Sequence, residues 1–160
     1  MATIPFCEYD VRQLISARKF VSKILQDNTQ TKIGAEYEKH IVYEIRRVDT
    51  PTKDIRLRLC ARIPPSVPGV GVKPTPGVAL QWHGKIIRKL DSVMRHTSIQ
   101  NDIPIGDVHG WHEHIWTDED EGRYVVAANP PVKNADMKAL IRWAAKKWNV
   151  ELEKQDERLF

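Results

Sequence analysis

The chain has little cysteine: Cys7 and Cys60 are the only two among 160 residues. They are far apart and lack CxxC spacing, which suits free thiols in a reducing compartment better than a disulfide framework. Long apolar runs are also missing. None approaches the length of a membrane-crossing helix, and the opening MATIPFCEYD has neither a basic start nor an apolar stretch of the secretory kind. The expectation is a cytoplasmic protein without a membrane partner. No GxGxxG, GxxxxGK[ST] or GxSxG motif occurs, so nothing points to a nucleotide cofactor or a serine hydrolase.

The composition that is present is globular. Hydrophobic residues make up 41% and charged residues 29%, and five tryptophans are more than a disordered chain of this length carries. The length suits a single domain over residues 1–160. The formal charge of +4 leans weakly toward polyanionic partners.

Periodicity gives the expected elements. DVRQLISARKFVSKILQD places Leu14, Ala17, Val21, Ile24 and Leu25 on one stripe, and Asp10 offers an N-cap, which predicts a helix of about four turns. AEYEKHIVYEIRRVD and DIRLRLCARI alternate as strands, joined by the turn residues of VDTPTKD into a hairpin. Residues 64–77 hold five prolines and three glycines and read as a surface loop within the domain. Around His83-Gly84 two short strands form a tight hairpin. Residues 92–107 show no sustained period and read as a second loop. GWHEHIW and RYVVAA read as strands flanking a solvated acidic turn, Asp118 to Glu121. The chain closes with a helix capped by Asn134 and striped by Met137, Leu140, Ile141, Ala144 and Trp148. The predicted fold is α+β: an antiparallel sheet of about five to six strands with an N-terminal and a C-terminal helix packed on one face.

The chemistry concentrates in VHGWHEHIW, since five of the six histidines fall between 83 and 114. On a strand, His112, His114 and Trp116 share a face. Two chemistries fit them. One is a divalent metal site, with His112 and His114 as ligands completed by His96 or His109 and by Asp91 or Glu119. The other needs no metal or other cofactor: RNA cleavage in which the ribose hydroxyl attacks the adjacent phosphate. Histidine serves there as acid and base, and arginine holds the phosphate oxygens. In that reading His112 and His114 are the acid–base pair, His96 a third candidate, Asp91 the orienting carboxylate, and Arg88 or Arg95 the cation. Arg56, Arg58 and Arg62 extend the site as a backbone-binding track, and Trp116 stacks a base. A third possibility is a non-catalytic module that binds nucleic acid or protein through the arginine face.

Residues 79–116, about a quarter of the chain, resemble the core of the TumE-like toxins of bacterial toxin–antitoxin modules. That core has a strand ending in an arginine and an aspartate, a following histidine, and a His-x-His strand before a C-terminal helix. The matching residues are Arg88, Asp91, His96, His112 and His114. The resemblance implies a growth-inhibiting, endoribonuclease-type toxin acting on RNA and held in check by a cognate antitoxin protein.

Overall fold

The first helix, α1 (Glu8–Ser16), starts where the Asp10 carboxylate accepts the Cys7 N–H at 2.9 Å, a cap that satisfies one of the orphan donors of the first turn. It ends just as specifically. Ala17 is extended, and the wholly buried Lys19 sends its ammonium back to the carbonyls of Leu14, Ile15 and Ala17. The structure, a computed structural model, describes residues 5–33, 36–50, 57–63, 77–130 and 137–153.

Among the described residues seven strands follow in sequence order: β1 (Lys19–Ile33), β2 (Glu36–Arg47), β3 (Leu57–Ile63), β4 (Gly77–Trp82), β5 (Lys85–Gln100), β6 (Ile103–Ile115) and β7 (Tyr124–Ala127). Each pairs antiparallel with the next. Helix α2 (Met137–Lys147) then leads to β8 (Val150–Glu151), which lies parallel to Lys19 and Phe20 at the far edge.

This eight-stranded mixed sheet overturns the expected five to six antiparallel strands flanked by two helices. Two segments account for the difference. The stripe over residues 10–27 is cut at Ser16, because residues 19–33 find a ladder on β2 and the pairing overrides helix propensity. The supposed loop over 92–107 is the distal half of a long hairpin. Its turn residues Asn101 and Asp102, with φ of 52° and 60°, take the left-handed conformations of a two-residue hairpin turn. His83 and Gly84, with φ of 50° and 77°, make the same kind of turn between β4 and β5, as expected. Arg56, residues 64–76 of the Pro-rich stretch and Asn134, the expected cap of the last helix, lie outside the described residues.

Alternation assigns the faces. Ile41, Tyr43 and Ile45 of β2, Leu57, Leu59 and Ala61 of β3, Val78, Leu80 and Trp82 of β4, and Ile87 and Leu90 of β5 join one buried cluster. Val11 and Leu14 of α1 and Leu140, Ile141, Ala144 and Trp148 near α2 complete it. We call this side of the sheet the inner face. Among the described residues no helix is long and apolar enough to cross a membrane.

The long hairpin is fastened to the turn after β6. Asp120, 1% exposed, accepts the backbone N–H groups of Asn101 at 2.9 Å and Asp102 at 3.2 Å, and Arg123 pairs with Asp102. The acidic stretch 118–121 is thus part clasp and not simply a solvated turn. Asp120→Ala should free both amides and cost about 1.5–3 kcal/mol, the range for hydrogen bonds to a charged group. Hydrogen exchange should accelerate at residues 101 and 102 while β3 and β4 stay protected; unchanged exchange at the turn would refute the clasp.

Candidate functional site

The site is built by the register of β5 on β6. Lys89 pairs with His114 and Asp91 with His112, so four polar side chains stand side by side on the outer face. Their neighbours Leu90 and Glu113 are buried on the other side. Glu113 accepts the Trp148 indole N–H at 2.7 Å and lies 3.4 Å from the Lys147 ammonium, which anchors the strand from below.

His96 arrives by a bend. Between the pairs Val93–Gly110 and His96–Val108 the ladder skips, with two residues on β5 opposite one on β6, and Gly110 takes a φ of 78° that favours glycine. A second skip follows between Ser98 and Ile99. The bent hairpin packs on the segment after β6: Ile99 N–H donates to Arg123 O at 3.1 Å and Val125 N–H to Ser98 Oγ at 3.0 Å. This sets the His96 ring 5.1 Å from that of His112 and 4.8 Å from that of His114, centre to centre.

Each imidazole is fixed in the same way. Nδ1 of His96 lies 3.1 Å from Thr97 O, that of His112 3.0 Å from Gly110 O, and that of His114 2.9 Å from Gly122 O. A carbonyl oxygen only accepts, so Nδ1 carries the proton in all three rings and each neutral ring keeps its lone pair on Nε2. The Nε2 atoms of His112 and His114 face each other at 3.0 Å. Asp91 Oδ1, buried and without a hydrogen-bond donor, lies 2.7 Å from the first and 3.6 Å from the second. Its other oxygen is 2.9 Å from Lys89 Nζ. The side chain of His112 is 0% exposed and that of His114 16%.

Burial pushes the His112 imidazole below its ordinary value, outweighing the Gly110 carbonyl and Asp91, which favour its charged form. Burial also opposes the charge of Asp91. There the His114 imidazole, the Lys89 ammonium and the positive form of His112 outweigh burial and hold the carboxyl well below the usual carboxylate range. Two imidazole Nε2 atoms and one carboxylate oxygen thus converge on one point.

The remaining expected residues divide by face and by exposure. Arg58 and Arg62 stand exposed on the outer face of β3, across β4 from the cluster. Arg62, Cys60, Gly77, Ala79, Lys89 and Asp91 line a cleft of about 200 Å³. Arg95 is exposed, 3.8 Å from Asp107 and away from the cleft lining. Arg88 is on the wrong side: it pairs with Leu80, is buried, and sits under the sheet near Glu113 and Glu8. Trp116 is 4% exposed and packs edge-on against Phe6, so it offers no stacking face to a base. His109 and Glu119 are exposed, and neither belongs to the metal-competent group of His96, His112 and His114. Lys89 is the cation that sequence reasoning missed, although its even spacing from Asp91 carried the signal. Comparison with family models, with curated proteins and with solved structures gave no match.

The cleft wall also sets the reactivity of Cys60. Burial raises its thiol to about 11, against a smaller opposing effect of Arg58. At pH 8 iodoacetamide should therefore modify the exposed Cys7 and leave Cys60 largely intact until the protein is unfolded. Mass spectrometry of the native and urea-treated protein reads this directly, and equal labelling in the native state would contradict it.

Proposed function

We propose that this protein is an RNA-cleaving enzyme of the toxin type, acting on phosphodiester bonds in the cytoplasm and restrained by a cognate antitoxin protein. The observation that carries the reading is the meeting of three imidazoles and a carboxylate at the end of a cleft that also carries Lys89 and Arg62. The choice of RNA is further supported by the TumE-like resemblance, because four of its five matching residues, Asp91, His96, His112 and His114, gather on this face.

Attack of a ribose hydroxyl on its neighbouring phosphate requires removal of one proton, delivery of another, and positive charge near the phosphorane. His96 and His114, both partly exposed, are the imidazoles that reach substrate. His112 is buried and acts by holding His114 in place. Arg62 and Lys89 face the phosphate, and Arg58 with Gln81 and His83 lines a second hollow of about 260 Å³ that extends the track.

A long unstructured RNA incubated with the purified protein should be cut. His114→Ala should slow cutting by about 10²–10⁴-fold, the usual loss of an acid–base group, and should relieve growth arrest when the protein is expressed. Arg62→Ala should weaken RNA binding and lower the salt slope by about 1. Arg88→Ala should leave that slope alone and instead lower the midpoint of urea unfolding, because it empties a buried position under the sheet. Intact RNA with the wild-type protein, or equal cleavage by His114→Ala, would sink the reading.

A further inference from the structure

We propose that His96, His112, His114 and Asp91 together bind one divalent transition-metal ion of the zinc class. In its reaction this rests on the RNA-cleavage reading, with an ion on all three Nε2 atoms taking the place of the free imidazole acid–base pair at the same centre; in its binding it stands on geometry alone.

The first argument is the direction of the lone pairs. All three rings give their Nδ1 proton to a backbone carbonyl, at 3.1, 3.0 and 2.9 Å, which leaves every Nε2 free to donate electrons. That is how metal-bound histidines are held: the outer hydrogen bond fixes the tautomer and the ring angle. A single structural histidine adopts it readily. Three in one cluster form a ligand set.

The second argument is distance. Zinc bound tetrahedrally at about 2.0–2.1 Å keeps neighbouring nitrogen donors about 3.3–3.4 Å apart. Nε2 of His112 and His114 are 3.0 Å apart, and Asp91 Oδ1 lies 2.7 and 3.6 Å from them. The candidate ligand atoms of the three histidines fall within 4.8 Å of one another. Bringing the set to that spacing needs a closure of up to roughly 1.5 Å, and His96 rides on the bent half of the hairpin.

The third argument is unmet demand for positive charge. Two imidazole nitrogens crowd a carboxylate oxygen that is buried with no hydrogen-bond partner. One proton bridges one of these contacts only. An ion satisfies all of them at once. Lys89 holds Asp91 Oδ2 at 2.9 Å and so presents Oδ1 alone. Imidazole with one carboxylate suits zinc, cobalt or nickel better than magnesium or calcium, which prefer oxygen. In the cleavage reaction the ion would supply electrostatic stabilisation of the phosphorane beside Lys89 and Arg62.

The test uses tag-free full-length protein, stripped with chelator, dialysed and titrated with zinc and separately with cobalt. Isothermal calorimetry and elemental analysis should find one ion per chain, and the cobalt form should show the visible absorption of a tetrahedral site. His112 is buried, so His96→Gln and His114→Gln carry the test, with matched near-ultraviolet circular dichroism as the check on folding. Each should weaken zinc binding beyond the ~10–100-fold that loss of an outer-shell partner costs. Sub-stoichiometric zinc and cobalt in the wild type, or equal affinity in wild type and both variants, would overturn the site. Binding is read without RNA, so an ion bound by a protein that leaves RNA intact defeats the cleavage reading alone. RNA cut by a protein that binds no ion defeats the ion alone and returns the chemistry to bare imidazoles.

Discussion

The register between β5 and β6 is the constraint on which the site depends. A one-residue slip of β6 would send His112 and His114 to the inner face, away from Lys89 and Asp91, and bring Glu113 out to solvent. What resists the slip lies beneath the sheet. Glu113 is held by the Trp148 indole and faces Lys147, Arg88 packs near it, and Leu90 sits in the core. The inner face therefore specifies the outer one, and α2 contributes to a cluster it does not touch.

The bend is a second, separate device. A straight hairpin would carry His96 away along the strand. Two ladder skips and the left-handed Gly110 turn the distal half so that it packs on the segment after β6, where Asp120 and Arg123 receive it. The same segment supplies the Gly122 carbonyl that fixes His114. One turn thus orients one histidine directly and another through the hairpin.

Much of this is legible in the sequence. Alternation places His112 and His114 together, sets Arg58 and Arg62 opposite the core residues of β3, and locates the β4–β5 turn at His83-Gly84. It misleads where pairing outweighs local pattern. Residues 19–25 carry a helical stripe, and only the partner strand β2 makes them extended. Residues 92–107 lack a clean period because bulges break the alternation and much of that hairpin, including Ile103 and Ile105, is exposed. Arg88 and Asp91 are three apart and so belong on opposite faces; the arginine attracts attention for its chemistry, while parity points to Lys89. Trp116 sits just past the end of β6, where strand alternation no longer applies, and Phe6 claims it for the core.

The parallel pairing of β8 with β1 joins Lys19 to Val150 and Phe20 to Glu151, contacts that span some 130 residues. Among the described strands every other neighbour in the sheet is also a neighbour in the chain. A ribosome releasing this protein would thus deliver the hairpins, and with them the histidine cluster, while the first strand still waited for its last partner. Closing so long a loop is slow, because its entropy is lost before the contact repays it. The cluster can assemble early, whereas the edge that completes the sheet must come late.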